Sequence, residues 1–147
     1  MTETVNRAAF DSRDFSAIFD HISVGVTDIA RAREFYEPTL ATLGLVPVMD
    51  KSFAIAFGNG SGRQWLWVSE PIDKASAVTA NNGAHIALLA GSRAAVRAFY
   101  TVALASGGRD DGAPGLRPEY MPTYYGAFVL DPDGNKIEAV CRKPGED

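Results

Sequence analysis

The sequence predicts an α+β fold in which two βαβββ modules, related by a pseudo-twofold axis, form mixed sheets around an open cup. The first observation is an internal repeat, which indicates two copies of one supersecondary unit. Residues 19–44 align with residues 83–108 at a shift of 64, and nine of the 26 positions are identical, namely His21/His85, Ile22/Ile86, Ala30/Ala94, Arg33/Arg97, Phe35/Phe99, Tyr36/Tyr100, Leu40/Leu104, Ala41/Ala105 and Gly44/Gly108. The second observation is that turn residues separate short apolar runs in each copy.

Each copy opens with a strand that carries a histidine. In the first copy, aliphatic residues at positions 22, 24 and 26 alternate with His21, Ser23 and Gly25. Because successive side chains of a strand point to opposite faces, this period of two puts the histidine on the face opposite the aliphatic residues. The repeat places His85 in the same way in the second copy.

A helix follows each of these strands. Asp28 and Ser92 are the predicted N-caps, since their side-chain oxygens can accept from free N–H groups of the first turn. Pro38 removes a helical hydrogen bond, so we expect a kink or break there. Gly44 and Gly108 are the predicted helix ends.

Three short strands are predicted after each helix. Turn residues divide them, notably the glycine-rich segment 58–62 and the sequence Asp131-Pro132-Asp133-Gly134. The predicted strands lie near 46–49, 52–57 and 64–69 in the first copy, and near 109–111, 124–130 and 136–141 in the second. A helix on one face of each sheet leaves the other face open, so the two sheets can line a cup.

Size, charge and composition limit the possible functions. We expect one domain over residues 18–142, with modules at about 18–72 and 82–142, an N-terminal extension at 1–17 and a tail at 143–147. The net charge is −4 with no basic stripe, which argues against a nucleic-acid partner. There is no apolar run of the length that a membrane span requires and no signal-peptide pattern, and Cys141 is the single cysteine. A cytoplasmic protein with a small-molecule partner is expected.

The last strand adds a carboxylate to the two histidines. Ile137, Ala139 and Cys141 form an apolar face that packs under the helices, so Glu138 points to the open face with His21 and His85. Two imidazoles and one carboxylate form a ligand set for Fe(II), Mn(II), Zn(II) or Ni(II) that leaves positions open for substrate or water. These three residues are therefore the predicted metal ligands. Their alternative role is a polar lining for an organic ligand.

Three segments resemble the vicinal-oxygen-chelate superfamily of glyoxalases, bleomycin-resistance proteins and extradiol dioxygenases. They are FDHISVGVTDIARAREFYEPTLATLGL, GAHIALLAG and DPDGNKIEAV, and the resemblance covers about residues 18–142. It implies a glyoxalase-like fold, a divalent metal held by His21, His85 and Glu138, and a homodimer.

The sequence departs from the glyoxalase pattern at a fourth ligand. That pattern has Glu or Gln on the last strand of the first module, which here reads QWLWVSE over residues 64–70. Aligning Gly62 with Gly134 sets Leu66 opposite Glu138, whereas a one-residue gap sets Trp65 or Trp67 there. None is a good ligand. The three-ligand pattern is closer to that of extradiol dioxygenases, which are usually built from four modules and have further catalytic His and Tyr groups.

Several aromatic residues and one arginine are candidates for substrate contact. Tyr124 or Tyr125 could donate a proton to a substrate, and sheet packing is the alternative. Trp65, Trp67 and Tyr120 could stack on a ligand, although a core or interface role is equally compatible with the two tryptophans. Arg117 could bind an anionic substrate, and a solvated loop arginine is the alternative.

Two function hypotheses follow. The first is a metal-dependent enzyme whose small substrate chelates the metal through neighbouring oxygens, with isomerase, lyase or dioxygenase chemistry. The second is a metal-free protein that binds a small molecule or antibiotic, as resistance proteins of the superfamily do.

Overall fold

Two four-stranded sheets, each with one helix, make up residues 19–145, the part of the chain that the computed structural model describes. The first module consists of β1 (Ile22–Gly25), α1 (Ile29–Ala41), β2 (Val46–Lys51), β3 (Ala54–Gly58) and β4 (Leu66–Ser69). The second consists of β5 (Ile86–Leu89), α2 (Arg93–Ala105), β6 (Arg109–Leu116), β7 (Tyr125–Leu130) and β8 (Lys136–Cys141). The βαβββ pattern thus occurs twice, and the predicted fold class is confirmed.

The strand order is equivalent in the two sheets. It is β1-β4-β3-β2 in the first sheet and β5-β8-β7-β6 in the second. In each, the first strand of the module pairs in parallel with the last, and the remaining neighbours are antiparallel. The last strand of each module therefore lies beside the strand that its histidine precedes.

One continuous core joins the two modules. The helices contact each other, and the aliphatic faces of the strands pack beneath them. The largest fully buried apolar side chains come from both modules: Phe35, Tyr36, Leu40, Ile55, Phe57, Leu66, Phe99 and Ile137. Within residues 19–145, the opposite faces of both sheets have no helix packed against them, as the sequence predicted.

The helix caps agree with the sequence, but two details do not. Oδ1 of Asp28 accepts from the first turn of α1, and Oγ of Ser92 accepts from the first turn of α2. Of the kink or break expected at Pro38, the break does not occur, because α1 continues through this exposed residue to Ala41 and loses only one N–H donor. The left-handed residue after α2 is Gly107, with φ 96°, and not Gly108.

A buried turn connects the modules. Asp131, which has 0% of its surface exposed, accepts hydrogen bonds at Oδ1 from the N–H groups of Asp133 and Asn135. Its Oδ2 accepts from the hydroxyl of Tyr36 in α1, at 2.6 Å, and from Nδ2 of Asn135. Nδ2 of Asn135 also donates to the carbonyl of Gly25 in β1. Burial, followed by the charge and hydrogen bond of Asp131, raises the pKa of Tyr36 well above its ordinary range.

Some boundaries differ from the sequence prediction or lie outside the description. Strand β6 runs to Leu116 instead of ending near 111, with register shifts around Gly112 and Gly115. The predicted extension at 1–17 and the last two residues of the predicted tail lie outside the described residues. No helix within residues 19–145 is long and apolar enough to cross a membrane.

The Asp131 carboxylate should contribute a large part of the stability. We expect Asp131→Ala to lower the free energy of unfolding by about 3 kcal/mol, because it leaves several buried donors without an acceptor. The control is Asp50→Ala, which removes an exposed carboxylate paired with Arg33 and should cost at most about 1 kcal/mol. Urea unfolding measures both, and equal losses in the two variants would contradict the role of the turn.

Candidate functional site

The open face of the second sheet contains a cavity of about 460 Å³. Five of the predicted site residues contribute to its lining: His85, Arg117, Tyr120, Tyr124 and Glu138. They share this wall with residues that the sequence analysis did not select, among them Asp111, Phe128 and Lys136. We call this space the second-module cavity.

Glu138 is the buried carboxylate of this cavity. Only 1% of its surface is exposed, and strand alternation points it away from the helix-facing residues Ile137 and Ala139. Its Oε1 accepts a hydrogen bond from the hydroxyl of Tyr124, and its Oε2 lies 3.3 Å from Nε2 of His85. A glycine makes room for the carboxylate, since a Cβ at Gly126 would lie 3.1 Å from Oε1.

Tyr124 is held in its protonated form. Burial, followed by the hydrogen bond to Glu138 and its negative charge, raises the pKa of Tyr124 to about 12. Its ring packs edge to face against the Tyr120 ring, and the two ring centres are 5.3 Å apart. Tyr124 is therefore a hydrogen-bond donor at neutral pH, and one that is already directed at the carboxylate.

His21 lies apart from the other two predicted ligands. The centre of its ring lies 6.4 Å from that of the Trp67 ring, and its Nδ1 lies 2.5 Å from Oδ1 of Asp20. Across residues 19–145, no three or more His, Cys, Asp and Glu side chains form a group that could hold a metal. Convergence of His21, His85 and Glu138 within one chain is therefore not found. The repeat puts both histidines at equivalent places in two different sheets, but it carries no information on the distance between those sheets.

The strand register decides which residue of the first module is equivalent to Glu138. Ile22 pairs with Leu66 in the first sheet, as the equivalent Ile86 pairs with Ile137 in the second. Leu66 thus corresponds to Ile137, and Trp67 corresponds to Glu138. The sequence left three residues open for the fourth-ligand position, and the register assigns it to Trp67. Its indole ring packs near the His21 ring and offers no metal ligand.

Comparison with known proteins agrees with this architecture. Residues 18–139 match the Glyoxalase/Bleomycin resistance protein/Dioxygenase superfamily. The chain belongs to this superfamily. No curated protein matched the chain at the sequence level.

Solved structures of the superfamily share the fold. A glyoxalase/bleomycin resistance protein from Albidiferax ferrireducens T118 is 30% identical, with a TM-score of 0.78 over 86% of this chain and 100% of that chain. A lactoylglutathione lyase from Agrobacterium tumefaciens is 24% identical, with a TM-score of 0.57 over 86% of this chain and 93% of that one. A glyoxalase-related enzyme from Fulvimarina pelagi is 19% identical, with a TM-score of 0.63 over 84% and 86%. At such identities the last two support the fold alone.

Superfamily members generally use divalent metals, and one chain offers part of a suitable ligand set. The 3.3 Å between His85 Nε2 and Glu138 Oε2 suits two neighbouring ligands of one ion at bonds of about 2.0–2.2 Å. A catalytic site of this type has about three protein ligands, however. His85 and Glu138 thus fit a divalent metal as two members of a set that needs one more.

Three other candidates lie outside the second-module cavity. Trp65 and Trp67 are half-buried on the open face of the first sheet, because Leu66 and Val68 occupy its helix-facing side. Tyr125 is buried on the opposite face from Tyr124, with the guanidinium of Arg93 in α2 5.2 Å from the centre of its ring. Its predicted catalytic role is corrected, since successive side chains of β7 point to opposite faces.

Sequence reasoning missed an ion pair in the cavity wall. Nζ of Lys136 lies 2.7 Å from Oδ2 of Asp111 and 4.7 Å from the centre of the Phe128 ring. Lys136 could have been found, because it precedes Glu138 by two residues on the same strand and so shares its face. Asp111 lies in the irregular part of β6, where no alternation pattern pointed to it.

The Tyr124–Glu138 hydrogen bond can be tested by titration. We expect the pKa of Tyr124 to fall below about 12 in Glu138→Gln but to stay above the ordinary value of about 10, since burial remains. Carbon-13 NMR of the tyrosine ζ carbons measures this, and Tyr124→Phe assigns the signal. An unchanged pKa in Glu138→Gln would exclude the carboxylate as a cause of the shift.

Proposed function

We propose that the protein is a metal-dependent enzyme that acts on a small substrate with two neighbouring oxygens, and that the reaction takes place in the second-module cavity. The observation that carries this proposal is the His85–Glu138 pair, whose 3.3 Å spacing suits one divalent ion. The pair borders a space of about 460 Å³, which is large enough for a small organic substrate. Isomerase, lyase and dioxygenase chemistry are all compatible with this site.

The chain's own residues have distinct proposed roles. His85 and Glu138 hold a divalent ion such as Fe, Mn, Ni or Zn, which when bound supplies Lewis-acid polarisation of the substrate oxygens. Tyr124 orients the carboxylate through its hydrogen bond to Oε1 and stays protonated at neutral pH. The rings of Tyr120 and Phe128 line the same cavity and would contact the apolar part of a bound substrate.

The third ligand is proposed to be the His21 side chain of a second copy of the chain. Each chain contains one half-site with His21 and another with His85 and Glu138, and the first half-site lies on an open sheet face. A twofold dimer that brings the first module of one copy against the second module of the other would complete two equivalent sites. Superfamily members often form dimers, which supports this arrangement.

Metal-free binding of a small molecule is the second candidate function. The observation that favours it is that both oxygens of Glu138 already have protein neighbours, Tyr124 at Oε1 and His85 at Oε2. The buried carboxylate is thus satisfied by side chains of its own module. In that case the cavity would bind its ligand through aromatic and charged side chains alone.

Metal titration distinguishes the two functions. The enzyme proposal predicts that wild-type protein binds one Mn(II), Fe(II), Ni(II) or Zn(II) per chain. His21→Ala should abolish binding and Glu138→Gln should weaken it. The control is Glu37→Gln, which changes an exposed carboxylate on α1 and should bind metal like wild type. Isothermal titration calorimetry measures all four proteins.

Mixing two variants that do not bind metal on their own shows which copy of the chain supplies the third ligand. If the site forms between copies, His21→Ala and His85→Ala chains should together regain about one ion per four chains, because half of the random dimers are mixed and each has one intact site. Recovery near zero, with confirmed exchange of subunits, would contradict a shared site. If the wild type binds no divalent metal at neutral pH, the metal-free function takes its place.

A further inference from the structure

Arg117 is folded back onto the strand that it follows. Its Nη2 donates to the carbonyl of Ala113 at 2.8 Å, and its Nη1 donates to the carbonyl of Leu116 at 3.3 Å. The side chain is half-buried and lines the second-module cavity, with its guanidinium 6.0 Å from the centre of the Phe128 ring. Arg117 therefore follows β6 in a loop, but its side chain lies along the cavity wall.

A glycine of β6 makes room for this guanidinium. A Cβ at Gly115 would lie 2.9 Å from Nη1, whereas a Cβ at Gly112 would lie 3.6 Å from Nη2, which is an ordinary contact distance. Gly112 has φ 150°, whereas Gly115 does not adopt a positive φ, so the lack of a side chain at Gly115 is not explained by backbone conformation. Space for the Arg117 side chain is what the glycine at this position provides.

Arg117 differs from the other ionic groups of the cavity in its partners. Lys136 is paired with Asp111 at 2.7 Å, and Glu138 has Tyr124 and His85 as neighbours. Within residues 19–145, Arg117 has backbone carbonyls as its hydrogen-bond partners and no carboxylate at ion-pair distance. A guanidinium has five N–H donors in a planar fork, so donors remain for a ligand.

We infer that Arg117 binds a carboxylate group of the ligand, and that the ligand is a small carboxylic acid with a flat apolar part. A held guanidinium pairs well with a planar carboxylate, because two parallel N–H···O bonds can form. The rings of Phe128, Tyr120 and Tyr124 supply flat apolar surface in the same cavity. This inference rests on the proposed function, since it names the substrate class of that cavity.

The test compares benzoate with benzamide, a neutral molecule of nearly the same shape. Binding is followed by NMR shifts of backbone amides in nitrogen-15-labelled protein. Wild type should bind benzoate at least about tenfold more tightly than benzamide, and Arg117→Gln should remove that preference without changing benzamide binding. Arg117→Lys retains the charge but not the fork and should recover only part of the preference.

Gly115→Ala tests whether the position of the Arg117 guanidinium matters, because it moves this group without removing it. The added methyl meets only the mobile end of Arg117, so the fold should persist while the guanidinium moves and benzoate affinity falls. The control is Lys51→Gln, which removes an exposed positive charge in the first module and should leave both affinities unchanged.

The outcomes distinguish this inference from the proposed function. Wild-type protein that binds benzoate no more tightly than benzamide, or Arg117→Gln that binds benzoate like wild type, overturns the inference. Normal metal binding by Arg117→Gln in the calorimetric titration would show that the proposed metal site stands independently of that result. Loss of the preference for benzoate in both Arg117→Gln and Gly115→Ala, with benzamide binding intact, supports the inference that Arg117 binds a carboxylate.

Discussion

The carboxylate of Asp131 accepts four hydrogen bonds in the protein interior, and these bonds connect the two modules. One comes from Tyr36 in the first helix, and the others hold the turn that leads into the last strand. Because a buried carboxylate without partners is very costly, this turn has little freedom to change its conformation. Lys136 and Glu138 follow within a few residues, so the same constraint sets where β8 begins and which residues reach the open face. Stability and the position of the candidate site therefore depend on one group.

The two modules have the same architecture but different chemistry on their open faces. In the second module, His85 lies beside the buried carboxylate of Glu138, whereas in the first module the equivalent neighbour of His21 is the indole ring of Trp67. The strand register makes this comparison unambiguous, because Ile22 and Ile86 pair with equivalent positions in their sheets. One module thus offers two potential metal ligands and the other offers one. This difference leads to the proposal that two copies share each site, and it makes the second-module cavity the place where substrate chemistry is expected.

Much of the fold and part of the site could be predicted from the sequence. The 64-residue repeat predicted the modules, and strand alternation predicted the face of Glu138, because both signals are local and periodic. The separation of His21 from His85 could not be predicted, since it depends on how two sheets pack through their helices and the Asp131 turn. Arg117 was ambiguous for a similar reason: its placement depends on the irregular strand β6 and on space above Gly115, neither of which produces a pattern. Tyr124 and Tyr125 are adjacent, so only the exact start of β7 decides which one faces the cavity.

The proposed site holds a divalent ion at His85 and Glu138 together with His21 of a second copy. Mn(II) broadens the NMR signals of nearby nuclei, so its addition to nitrogen-15-labelled protein maps the site directly. We expect the amide signals of residues 85–87, Tyr124 and Glu138 to broaden first, and those of residues 21–23 to broaden with them at the same metal concentration. Broadening confined to other surfaces, or an absence of broadening at millimolar Mn(II), would contradict the proposed site.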